Sequence, residues 1–195
     1  ELGSRMKATG EVMAIGTSFE QAIMKAVRGA EIGLDTLNHA KFESMTKEQL
    51  RSEIGKMTDE RLFAVYAALK KGISVDEIYS VTKIDEWFLN KLKNLVDFEG
   101  EIAGKKLTRG QYLLGKKLGY PDKALARFSG EKLPAHRRAV FKMVDTCAAE
   151  FAAKTPYFYS TYDELDHDEA IPFVKNSKKK RIVVIGSGPI RIGQG

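Results

Sequence analysis

Between Phe19 and Ala30 the apolar residues fall at Phe19, Ala22, Ile23, Ala26, Val27 and Ala30, the three-and-four spacing that turns one face of a helix inward. Polar residues mark its ends. Thr17 with Glu20 three positions on has capping-box spacing, and Gly33 suits the stop. The same grammar then recurs along the chain. Thr46 with Gln49 opens a short helix carrying Leu50 and Ile54. Thr58 opens the next, with Leu62, Phe63, Val65, Tyr66 and Leu69 inside and Gly72 past its end. Ser74 with Glu77 caps another, around Ile78 and Val81. Asp85 precedes a longer run whose Trp87, Phe88, Leu89, Leu92, Leu95 and Val96 are assigned to the core. Thr108 starts one more through Tyr112, Leu113 and Leu114 to near Gly119, and Pro121 stands in the first turn of a last helix ending at Gly130. No segment here alternates with a period of two, so the pattern predicts a small α-helical domain of about 100 residues.

The flanks read differently. "GEVMAIG", Gly10 to Gly16, is short, apolar and glycine-bounded, which predicts a strand or extended segment. From Phe141 the texture changes, with helical spacing through Ala148–Lys154 that Pro156 stops. A burst of aromatics around it (Phe151, Tyr157, Phe158, Tyr159, Tyr162) predicts an extended segment pressed on a surface. Acidic "DELDHDEA" and basic "NSKKKR" follow as a solvated linker. The β-branched run Arg181–Ile185 then starts a strand that breaks into the glycine-rich loop Gly186, Gly188, Gly193 and Gly195. Glu1 is not an initiator methionine, and both ends read as cut from a longer chain.

Composition narrows the function classes. The 195 residues are 43% hydrophobic and 30% charged, as in ordinary globular proteins. No window approaches the apolar length of a membrane span, and no signal peptide opens the chain. One cysteine, Cys147, excludes an internal disulfide and fits a cytoplasmic setting; its Ala-rich helical context predicts a buried structural thiol. With three scattered histidines (His39, His136, His167), no zinc-binding spacing exists. The net charge of +6 would fit a nucleic-acid partner if it formed a face. Instead it is dispersed, apart from Lys178, Lys179, Lys180 and Arg181 beside the linker. Two helix–Gly–turn–helix echoes, "LKKGISVDEIYSVTKI" and "GKKLGYPDKALARFSG", keep a basic helix-turn-helix binder open as the alternative.

The terminal loop fails both standard phosphate patterns. The dinucleotide fingerprint needs glycine where Arg191 stands, and the phosphate loop needs lysine where Gln194 stands. What survives is a sharply turning backbone with one forked cation, Arg191. No catalytic and no metal-binding constellation is present.

Taken together, "MKATGEVMAIG", "DERLFAVYAALKKGISVDEI", "IDEWFL", "VDTCAAEF", "TPYFYSTY" and "GSGPIRIGQG" resemble, in order, the large subunit of carbamoyl-phosphate synthase. Residues 99–140 match in pattern only and are shorter than in familiar bacterial members. The resemblance implies a mainly α fold, a helical bundle-like oligomerisation domain flanked by short α/β stubs. It divides the chain into the end of the first ATP-grasp half (1–40), the oligomerisation domain (41–165), and the linker and opening of the second half (166–195). It also implies a ligase that uses ATP with Mg²⁺ or Mn²⁺ elsewhere in the full-length chain, with no cofactor in this piece. The implied partners are the rest of the large subunit, a glutaminase small subunit and further copies of the chain, with neither nucleic acid nor membrane. By the same resemblance Glu11 and Arg191 line the passage that carries carbamate between two active sites.

Overall fold

The computed structural model describes residues 12–147, 150–152, 156–163, 166–175, 180 and 182–184. The described chain is mainly α-helical, with one small sheet. In order come α1 (Phe19–Gly29), α2 (Ala40–Glu43), α3 (Lys47–Ile54), α4 (Arg61–Lys70), α5 (Val75–Thr82), α6 (Glu86–Ile102), α7 (Arg109–Lys117) and α8 (Asp122–Ser129), then β1 (Val140–Met143), β2 (Phe158–Thr161) and α9 (Ile171–Lys175).

Two threonine boxes form, the one at Thr46 as its spacing with Gln49 predicts. Thr46 accepts from the Gln49 amide while the Gln49 side chain returns to Thr46, and Thr108 and Gln111 do the same for α7. Ser74 and Asp85 cap α5 and α6. Three starts differ from expectation. The first helix is capped by Ser18, whose hydroxyl takes the Gln21 amide, because two overlapping boxes compete there; Thr17 is freed to donate to Asp163. The fourth helix begins at Arg61 after Glu60, with no side-chain cap, rather than at Thr58. Pro121 is the N-cap of α8 and not its first-turn residue. Gly72, Gly119 and Gly130 end their helices at φ of +78°, +96° and +67°, where a Cβ would be strained.

The core sits around α4. Seven consecutive residues, Phe63 to Leu69, are buried, so this helix is enclosed on every side. Around it pack Leu50 and Ile54 of α3, Ile78 of α5, and the α6 stripe Leu89, Leu92, Leu95, Phe98 and Ile102. That stripe places Trp87 on the far side of α6, and the structure corrects its assignment to the core. Trp87 is 53% and Phe88 43% exposed, and together with Phe19 they form a corner of edge-to-face rings.

The C-terminal third departs most from the periodic reading. β1 and β2 pair antiparallel, Val140 with Thr161 through Met143 with Phe158. β2 is the aromatic segment expected to be extended, whereas β1 is too short to announce itself. Residues 150–152 are not helical, and Phe151 is exposed. Residues 182–184, expected within a strand, form no regular element and stand exposed.

Candidate functional site

Asp163, His167 and Glu169, within the stretch expected as solvated linker, instead tie the sheet to the helices and loops around it. Asp163 accepts from the hydroxyls of Thr17 and Thr161 and lies 3.3 Å from Lys117 Nζ at the end of α7. Burial opposes its ionisation, but these donors prevail and hold the carboxyl below its usual value. Glu169 accepts the Met143 amide at 2.6 Å and pairs with Lys142 at 3.6 Å; Lys142 Nζ also lies 2.9 Å from His167 Nδ1.

Together with the start of α1 and the end of α7, these groups enclose a cleft of about 690 Å³. Its charges are matched: Lys91 with Glu20 at 3.6 Å, Lys117 with Asp163, Lys142 with Glu169. A cleft so balanced has no surplus field for an anionic substrate. Among the described residues no group of three potential ligands could hold a metal ion.

Lys25 joins the same region from inside α1. Its ammonium donates to the carbonyls of Ile15, at 2.9 Å, and Ser160, at 2.7 Å, and lies over the Tyr159 ring. Burial, then the neighbouring Arg28, lowers its pKa. Beside it Gln21 Nε2 reaches Lys117 O and Thr161 Oγ1. One face of α1 thus touches the entering stretch 12–16, the end of α7 and the outgoing strand β2.

A second polar cluster lies within the core. Glu99 Oε1 accepts from Tyr66 at 2.8 Å, Tyr120 at 3.0 Å and Asn38 at 2.9 Å, while Oε2 has Lys70 Nζ at 3.3 Å and no hydrogen bond. Burial pushes both phenols far up. The cluster ties the loop before α2 to α4, α6 and the α7–α8 turn, an arrangement that fixes packing rather than performing chemistry.

Of the residues singled out from sequence, Glu11, Arg191, Gly186, Gly188, Gly193 and Gly195 lie outside the described residues. Cys147 sits half-exposed in a turn, its amide donating to Asp145, so the buried helical thiol is corrected. Both helix-turn-helix echoes exist as α4–α5 and α7–α8, but neither second helix is strongly basic, α8 carrying one exposed lysine, Lys123, beside Arg127. The α5 helix bears Asp76 and Glu77 with no lysine or arginine, and Arg127 of α8 is held in a forked pair with Asp35 at 2.8 Å. Lys25, Lys117, Asp163 and Glu169 escaped sequence reasoning. Each belongs to a local pattern, a helix face or a charge run, that looks merely solvated until the strands are placed.

Comparison with known proteins closes the assignment. Residues 11–143 match the family described as carbamoyl-phosphate synthetase large chain, oligomerisation domain. The carbamoyl phosphate synthase large chain of Methanobrevibacter smithii is 44% identical over 204 residues, covering all of this chain and 18% of that protein. Those of Lachnoclostridium phytofermentans and Archaeoglobus fulgidus are 41% and 44% identical, again over the whole of this chain and 19% of each protein. The chain therefore spans about a fifth of the length of the curated relatives it matches. A mainly α-helical block, capped and packed as these residues dictate and matched over two-thirds of its length, belongs to the oligomerisation-domain family of the carbamoyl-phosphate synthetase large chain.

Proposed function

We propose that this block connects the two ATP-grasp halves of a carbamoyl-phosphate synthase large subunit and mediates its self-association, with no catalytic group of its own. The observation that carries the reading is the match of the whole chain, at 41–44% identity, to relatives of that name. The complete enzyme would be an ATP-dependent ligase making carbamoyl phosphate from bicarbonate, ammonia released from glutamine by a small subunit, and two ATP. It would serve arginine and pyrimidine synthesis in the cytoplasm. ATP and Mg²⁺ or Mn²⁺ would be held by other parts of that longer chain. The cleft does not fit either group, because its three lysines, Lys91, Lys117 and Lys142, each face a carboxylate and no ligand cluster forms among the described residues.

Glu11 and Arg191 are proposed, on the resemblance, to line the carbamate passage. A guanidinium offers forked donors that hold the labile anion briefly, and a carboxylate nearby keeps that grip weak. Arg191→Ala in the full-length enzyme is expected to impair overall synthesis while sparing bicarbonate-dependent ATP hydrolysis and ATP formation from carbamoyl phosphate. A parallel fall in all three rates, or no change in any, overturns this role. Equilibrium dialysis of the 195-residue chain with ATP and Mg²⁺ is expected to show no micromolar binding.

A further inference from the structure

The hydrogen bonds of the two-stranded sheet fix which of its groups face outward. Val144 donates to Tyr157 O at 2.8 Å, so by antiparallel alternation the pairs 142/159 and 140/161 exchange bonds, while 141/160 and 143/158 turn their amides and carbonyls away from each other. Such outward groups are left open on an isolated sheet. Here side chains and loops meet them. On the β1 side, the Glu169 amide donates to Phe141 O at 2.9 Å and its carboxylate accepts the Met143 amide. On the β2 side, Ser160 O is taken by Lys25.

The same ammonium holds Ile15 O of the entering stretch, so the incoming and outgoing chain lie side by side across a single nitrogen. No carboxylate among the described residues pairs with Lys25, whose stem runs half-buried along α1. Among the described residues its ammonium donates to these two carbonyls. A lysine used for solubility or for an ion pair would not be placed this way. Its three ammonium protons and flexible stem suit it to bridge the two backbones.

We propose that Lys25 is a positioning residue that couples the stretch entering the helical block to the strand leaving it, so that the flanking halves of the longer chain keep a fixed mutual orientation. The coupling within this chain stands on the geometry alone; its consequence for the enzyme rests on the function proposed above. The two are separated by two measurements. In the first, amide hydrogen exchange is followed in the 195-residue chain and in Lys25→Met, which keeps the stem and removes the donors. Exchange in 12–17 and in 157–162 is expected to rise together by about tenfold or more, while α4 and α6 stay as slow as before. Lys25→Arg, whose fork can reach both carbonyls, is expected to restore much of the protection. Unchanged exchange in both stretches, a rise in one alone, or a loss spreading through α4 and α6 each overturns the coupling. In the second, Lys25→Met is placed in the full-length large chain. Overall synthesis is expected to fall several-fold while the two partial ATP reactions persist. Intact synthesis alongside the exchange change would overturn the consequence for the enzyme and leave the clamp standing.

Discussion

Replacing Glu99 by glutamine keeps the side chain's shape but strips the charge that Tyr66, Tyr120, Asn38 and Lys70 all face. An amide also points two donors into a place built for acceptors, so urea unfolding should show a loss of about 2–4 kcal/mol. The two phenols give the cluster a pH signature. Their folded pKa values are raised by burial first and by the Glu99 charge as well. A raised value means the contribution is complete below the unfolded tyrosine pKa, near 10, and is lost as pH climbs beyond it. Stability should therefore decline above about pH 10 more steeply in the parent than in Tyr120→Phe, which starts lower at neutral pH but has one fewer phenol to ionise. Asp35 works in the opposite direction. Its carboxyl is held low, first by the hydrogen bonds from Arg127, so its contribution is present at neutral pH and fades as acid protonates the folded form.

At the scale of elements, two glycines inside helices separate packing from propensity. Gly115 of α7 lies where a Cβ would come within 2.7 Å of Leu125 and 3.0 Å of Phe98, both buried. Gly100 of α6 has nothing within 4 Å. Alanine at Gly100 should raise stability by about 0.5–1 kcal/mol, because only the backbone entropy of the unfolded chain changes. Alanine at Gly115 gains the same but pushes α7 away from Phe98 of α6 and Leu125 of α8, and should lower stability by about 1–2 kcal/mol net. Thermal unfolding of the two variants, shifting in opposite directions, checks the pair. The helices themselves were legible because their signals are local: a hydroxyl, a glutamine three residues on, a glycine at positive φ. What was illegible is equally physical. Thr17 and Ser18 offer overlapping boxes one residue apart, and the choice depends on Asp163, far along the chain. The strands β1 and β2 are four residues each, separated by more sequence than a hairpin, so no local pattern fixes their pairing. Trp87 is a different case. The spacing of Leu89, Leu92 and Leu95 already turned it outward, and aromatic character alone had argued for the core.

For the molecule as a whole, the exposed rings make self-association observable. Trp87 is the only tryptophan and stands half in water, with Lys91 over its face. Trp87→Ala should cost about 1 kcal/mol or less, far below the penalty for a buried aromatic. Sedimentation from micromolar to near-millimolar concentration should show mass rising as copies associate. A strict monomer throughout contradicts the association.

The placement of Ile15 and Ser160 around one ammonium has a further consequence, for how such a chain can change over time. Alignments of 204 and 210 residues against a chain of 195 mean that relatives carry residues with no counterpart here. Because the block leaves and returns at a single point, residues gained or lost between those two carbonyls alter the loop that hangs from it and not the spacing of what lies outside. The block behaves as a cassette. Exchanged between relatives of different length, it should graft without adjusting the junctions, provided the lysine and the two backbones it holds travel together.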